Sequence, residues 1–235
     1  MERLQKLLAN AGHGSRREIE QWIRGQRVTV DGQVAKLGDR ALAGADIRLD
    51  GKPLRSDATV EPAVLVYHKP VGEVTTRRDP AGRPTVFERL PPAPSGRWVV
   101  IGRLDVNTTG LLLFTNDGEL ANRLMHPRAQ IEREYLVRVH GMPSPGVLER
   151  LRTGVMLEDG PARFDSIIAG QHSGSHSWFR VTLREGRNRE VRRLWQEVGL
   201  EVSRLSRLRF GRIMLPDDLR PGACRLLPPA EARLL

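Results

Sequence analysis

The sequence predicts an α+β chain, with a small N-terminal module of two short helices and tight hairpins followed by a larger domain on a mainly antiparallel sheet. Three observations predict it. Apolar residues at helical spacing near the N-terminus give way to two Asp-Gly pairs. Farther on, short alternating apolar runs recur with only a few helical stretches between them. In 235 residues, 39% hydrophobic and 28% charged side chains leave room for one large and one small domain of a soluble protein.

The elements follow in order. Leu4, Leu7 and Leu8 mark one helical face over residues 2–10, which Gly12 and Gly14 end. Ser15 and Glu18 have the spacing of a capping box, in which each side chain satisfies a free backbone donor of the next helix. That helix turns Ile19, Trp22 and Ile23 inward and stops near Gly25. Val28 and Val30 lead into Asp31-Gly32, a two-residue hairpin signal, and the strand Ile47–Leu49 leads into a second, Asp50-Gly51. A module of about 55 residues can barely bury a core of its own, so it reads as a binding attachment. The polar stretch Ser56–Pro62 sets the division: residues 1–58, a linker at 59–62, and a second domain over 63–235.

Beyond the linker, 64–67 reads as a buried strand. Residues 70–98 are rich in Pro, Gly and Arg and read as an irregular excursion with one helical turn near Phe87. Its arginines 77, 78, 83, 89 and 97 suit contact with a nucleic-acid backbone, the alternative being disorder in the free state. Strands are expected at 99–101, 111–115, 135–139, 179–183, 202–210 and 213–215. Helices are expected at 119–125, after Ser144 as far as Leu151, and after Asn188 with Val191, Leu194, Trp195 and Val198 on one face. Gly110 supplies a sharp turn, and His172 and His176 lie in a Gly/Ser-rich loop.

Charge narrows the partner. Net charge is +10, and all but four of the 38 basic residues are arginine, whose planar fork suits phosphates and bases. Residues 180–212 hold ten arginines against four glutamates, which concentrates the excess in one stretch. No apolar run is long enough for a membrane span, and the charged first residues are unlike a secretory leader. One cysteine, Cys224, excludes an intrachain disulfide and a cysteine-clustered zinc site, and the six histidines show no ligand spacing. A cytoplasmic protein without a metal is expected.

The sharpest segment is GRLDVNTTGLLLF (102–114), which sets one Asp and one Arg between buried runs. On physical grounds alone Asp105 is a nucleophile, a base, or a cap of the Thr108-Thr109 turn. This segment resembles the hallmark motif of the RNA pseudouridine synthases, in the branch typified by RsuA. Four further stretches match in order: YHKPVGEVTT (67–76), NDGELANRLMHP (116–127), EREYLVRVHG (132–141) and EGRNREVRRLW (185–195). DPAGRPTVFERLP (79–91) is similar to the subgroup that modifies a uridine of 23S ribosomal RNA. The string RLQKLLANAGHGSRREIEQWIRGQRVTVDG (3–32) resembles the αL RNA-binding motif of ribosomal small-subunit protein four.

The resemblance implies roles for particular residues. Asp105 corresponds to the catalytic aspartate, Tyr135 to the tyrosine packed on the target base, and Arg192 to the arginine paired with the catalytic carboxylate. Arg103 corresponds to the arginine that assists base eversion and binds phosphate. Arg16, Arg17 and Arg24 correspond to the module's grip on structured RNA, and Arg187 and Arg189 are assigned to phosphates. Arg193 is expected on a solvated face. The implied reaction exchanges an N1–C1′ bond for a C5–C1′ bond on a flipped-out nucleotide. Because it oxidises nothing and releases nothing, no cofactor is expected. Whether Asp105 attacks C1′, adds to C6 or removes the C2′ proton is open in the sequence, and the resemblance implies the last. The expected partner is 23S rRNA, as a hairpin or within an assembling large subunit, met by a monomer away from membranes. Two other readings are a non-catalytic RNA-binding or assembly factor, and a 16S rRNA enzyme. A glycosidase needs a second carboxylate that the motif lacks.

Overall fold

Apolar spacing at the N-terminus is realised as α1 after a two-residue strand, so the elements begin β1 (Glu2–Arg3), α1 (Leu4–Asn10) and α2 (Arg16–Arg24). The capping box is formed: the Ser15 hydroxyl accepts from Glu18 N and the Glu18 carboxylate accepts from Ser15 N. Next come β2 (Val28–Val30), β3 (Gln33–Val34), β4 (Arg40–Ala41), β5 (Ile47–Leu49) and β6 (Lys52–Leu54). Asp31, Gly32, Asp50 and Gly51 all have positive φ, the backbone that tight hairpins between twisted strands require. Strand order is β3-β2-β5-β6, with β1 paired to β4. Leu4, Leu8, Ile19, Ile23, Val28 and Ile47 fill the core between helices and sheet. Burial of each such side chain contributes roughly 1.5–3 kcal/mol.

The computed structural model describes residues 1–56 and 62–235, so the linker expected at 59–62 lies, but for Pro62, outside the described residues. Two compact units result: Met1–Ala63 with Pro91–Val99 and Thr115–Glu119, and Val64–Leu90 with Val100–Phe114 and Leu120–Leu235. Two later segments therefore fold with the N-terminal residues. Asn116 is the tie, its side-chain oxygen accepting from Ala63 N at 2.8 Å and its amide donating to Ser95 Oγ at 3.0 Å. Lys6 on α1 pairs with Glu119.

The second unit carries most of a nine-stranded sheet. The elements after Ala63 are β7 (Val64–Lys69), β8 (Val99–Ile101), β9 (Thr109–Thr115), α3 (Gly118–Met125), β10 (Arg133–His140), α4 (Pro145–Thr153), β11 (Val155–Leu157), β12 (Gly160–Ala162), β13 (Ser166–Ser173), β14 (His176–Leu183), α5 (Glu190–Glu197), β15 (Val202–Phe210), β16 (Ile213–Met214), β17 (Cys224–Leu226) and α6 (Pro229–Ala232). Strand order is β13-β14-β10-β15-β9-β7-β17, with β8 on β9 and β16 on β15. The β15·β9 pair is parallel, while β13·β14, β14·β10, β10·β15 and β7·β17 are antiparallel. Alternation on β10 and β14 buries Tyr135, Val137, Phe179 and Val181, and Trp195 of α5 packs on Phe179 and Phe164.

Several expectations are corrected. No helical turn forms at Phe87; residues 86–89 make a reverse turn, and Phe87 packs edge-on to Phe114. The excursion is fastened by its own arginines, Arg83 forking onto Asp79, Arg89 pairing with Glu73 and Arg77 lying over the Phe87 ring. α5 begins at Glu190 with no side-chain cap, since Arg189, not Asn188, is the boundary residue and is left-handed at φ +50°. Gly110 is not at a turn. It lies within β9, where an added Cβ would stand 2.3 Å from Arg207 O, so glycine is needed for the close approach of β15. His172 and His176 are strand residues, His172 bonded to Ser177 Oγ and His176 edge-on to His140. The strands β11, β12, β13 and β17 were not foreseen.

Candidate active site

The loop 102–108 joins β8 to β9, and every carbonyl from Leu104 to Thr108 accepts a hydrogen bond. Leu104 O accepts from the Thr75 hydroxyl at 2.7 Å, Asp105 O from Thr108 N at 3.0 Å, and Val106 O from Gly72 N at 2.8 Å. Asn107 O accepts from Arg192 Nη2 at 2.8 Å and Thr108 O from Lys69 Nζ at 2.9 Å. Five consecutive carbonyls outside regular structure are thus satisfied, four by partners from three other segments and one within the loop, which holds the loop in one conformation. It presents the Asp105 side chain, 31% exposed, to a cleft of about 420 Å³. The turn is closed by main-chain atoms, so the carboxylate is not spent as a cap.

That cleft is also lined by Arg103, Arg133, Tyr135, Arg187, Arg189, Glu190 and Arg207. Tyr135 comes from β10, opposite Arg207 of β15, so strand register carries the phenol to the same place as the acid loop. Arg189 Nη1 lies 3.5 Å from Asp105 Oδ2. Arg103 is exposed at the cleft.

The expected pairing of Arg192 with the carboxylate is corrected. Arg192 bridges Val202 O at 2.9 Å and Asn107 O, so it fastens the loop to β15, while Arg189 takes the acid. The two differ in position: Arg192 lies inside α5, whereas Arg189 is the left-handed residue at the helix boundary. Arg187 is also reassigned. It donates to Asp159 O, Gly160 O and Pro161 O and pairs with Glu185, anchoring the β11–β12 hairpin and leaving little for a phosphate. Arg193 is not simply solvated, because it forks onto Asp159 at 2.8 Å through both nitrogens, and this pairing holds the Asp159 carboxyl down at about 2.

Three buried groups escaped the sequence reading. Lys69 ends β7 fully buried, and desolvation pulls its ammonium down to about 8, opposed by the charges of Glu73 and Asp105. Glu190 is buried with its carboxylate on Arg187 N; desolvation dominates and raises it to about 7. Arg207 is buried at 2% exposure, its Nε donating to Leu111 O. The signal for Arg207 is its alternation with Leu205 on an inward strand face; for Lys69 it is a lysine closing a strand that opens on Val64, Leu65 and Val66.

On the other unit, Arg16, Arg17 and Arg24 are exposed along α2, and no hydrogen bond or ion pair holds them among the described residues. Among those residues no group of three His, Cys, Asp or Glu could hold a metal, and no helix is long and apolar enough to cross a membrane.

Comparisons with known proteins point to one family. Residues 63–197 match the family model described as RNA pseudouridylate synthase, and residues 2–47 match the S4 domain. Ribosomal large subunit pseudouridine synthase B of Escherichia coli (strain K12) is 56% identical over 238 residues, covering 100% of this chain and 82% of that one. The protein of that name from Salmonella typhimurium is also 56% identical, with the same coverage. A solved pseudouridylate synthase superposes with a TM-score of 0.68 at 26% identity, covering 100% of both chains.

Proposed function

The chain belongs to the RNA pseudouridylate synthase family, and from that premise we propose that it isomerises one uridine of 23S ribosomal RNA, with Asp105 as its catalytic carboxylate. Relatives named for the large ribosomal subunit, 56% identical over the whole chain, support the substrate. The observation that carries the site is a partly exposed carboxylate on a loop whose carbonyls from Leu104 to Thr108 are all bonded, facing a cleft of about 420 Å³ with four arginines besides Arg189 on its walls.

In the reaction N1–C1′ breaks, the uracil turns over, and C5–C1′ forms; C5 gives up its proton and N1 gains one. Nothing is released and no electrons leave, so the protein's task is positioning and charge management. Eversion of the nucleotide costs a few kcal/mol. Packing of the base on Tyr135 and phosphate contact with Arg103 offset it. Arg189 steadies the Asp105 charge once RNA displaces water, and Arg192 and Lys69 hold the loop that carries it. Arg16, Arg17 and Arg24 grip structured RNA around the target. The protein acts as a cytoplasmic monomer on rRNA, free or in an assembling large subunit.

Pseudouridine mapping in rRNA from a strain lacking this gene tests the reading. One large-subunit site should disappear and return on complementation. Loss of a small-subunit site would move the substrate to 16S rRNA, and an unchanged map would remove the assignment.

A further inference from the structure

We infer that Arg207 reads the everted base, its guanidinium donating to the C4 carbonyl oxygen of uracil and so selecting uracil over cytosine. The inference rests on the proposed uridine substrate and adds to it the group that recognises the base.

Arg207 is a buried cation whose donors are mostly unused. Nε donates to Leu111 O at 2.8 Å, the guanidinium carbon sits 5.5 Å from the Phe210 ring centre, and Nη2 is buried with no partner. No carboxylate pairs with it among the described residues. The neighbouring cleft arginines are different: Arg133 donates to the carbonyls of Ile131, Arg184 and Glu185, and Arg187 to those of the β11–β12 hairpin. A buried guanidinium with vacant N–H groups is costly unless something supplies an acceptor. Arg207 lines the same cleft as Asp105 and Tyr135. Its backbone is drawn tight against Gly110, five residues from the acid, so register fixes its distance from the reacting atoms.

The ligand that fits is a planar base with a carbonyl oxygen at its edge. Uracil offers O4 there, whereas cytosine offers an amino group, which would set donor against donor and leave both unpaired. The chemistry of the isomerisation agrees. Turning uracil over so that C5 takes the place of N1 exchanges the positions of O4 and O2. A donor that holds O4 in the substrate therefore meets O2 in the product, and the contact survives the rearrangement.

The test uses the full chain and an rRNA fragment containing the mapped uridine, made with uridine, 4-thiouridine or cytidine at that position. With the natural protein, 4-thiouridine, whose sulfur accepts poorly, should be turned over at least about tenfold more slowly. The cytidine fragment should compete at least about tenfold more weakly than a uridine fragment. In Arg207→Met, which has no donor and is shown to be folded by its thermal melt, both ratios should collapse towards one. Equal turnover of uridine and 4-thiouridine by the natural protein overturns the inference, whether or not the variant folds, and so does a folded variant that keeps both ratios. Absence of any turnover of the uridine fragment would instead strike at the proposed function itself.

Discussion

Arg16, Arg17 and Arg24 on α2 are exposed with no side-chain partner among the described residues, whereas Arg133, Arg187 and Arg192 near the cleft are partly buried and bonded to main-chain carbonyls. One residue type thus serves two purposes. A solvated guanidinium keeps its charge and donors for a phosphate and owes its affinity to released counterions. A buried one uses its rigid fork as a strut between backbone segments that lack regular structure. Net charge alone does not separate the two sets; only the bonding partners do.

Removal of a strut should have the largest effect. Arg192→Met frees Asn107 O and Val202 O and lets the Asp105 loop shift. A displacement of about 1 Å can cost on the order of 100-fold in rate, so kcat should fall by about that factor while RNA affinity stays within a few-fold. Unchanged kcat would mean that the loop holds its shape without this arginine. The solvated set should behave in the opposite way. Changing Arg16, Arg17 and Arg24 together to Ala should leave kcat at saturating RNA alone, weaken binding, and reduce the log–log salt slope by roughly 2. An unaltered slope would show that α2 does not meet phosphate.

The smallest effect concerns Glu190, which lies among the struts. Its carboxyl is raised by burial to about 7 from a usual 4.5, so the folded chain binds more protons than the unfolded one between those values. The stability this provides is complete below pH 4.5 and is lost as pH rises through 7. Glu190→Gln keeps an acceptor for Arg187 N and has no charge to bury. The variant should therefore melt above the natural protein at pH 8, and the gap should narrow as pH falls towards 4.5. Equal melting temperatures at both pH values would contradict the burial argument.

Local signals were legible where neighbouring residues decide the structure. The Ser15–Glu18 capping box, the Asp31-Gly32 and Asp50-Gly51 turns, and the inward alternation around Tyr135 and Phe179 all form as their residue types dictate. The position of Asp105 on a loop between buried runs was equally readable. What failed depends on distant partners. Gly110 looked like a turn because its close neighbour, the backbone of Arg207, is 97 residues away. Arg192 and Arg189 could not be told apart, since the left-handed start of α5 decides which reaches Asp105. Arg187 and Arg193 looked free because the β11–β12 hairpin that occupies them gives only a weak pattern in the sequence.

The most direct measurement is single-turnover pseudouridine formation by Asp105→Asn on an rRNA fragment, read by carbodiimide primer extension. Asparagine preserves the shape of the side chain and removes its charge and basicity. The rate should drop by about 10²–10⁴-fold or beyond detection, with fragment binding within a few-fold of the natural protein. Conversion at a near-normal rate would contradict the account, because the loop, the struts and the arginine-lined cleft would then be presenting the wrong group.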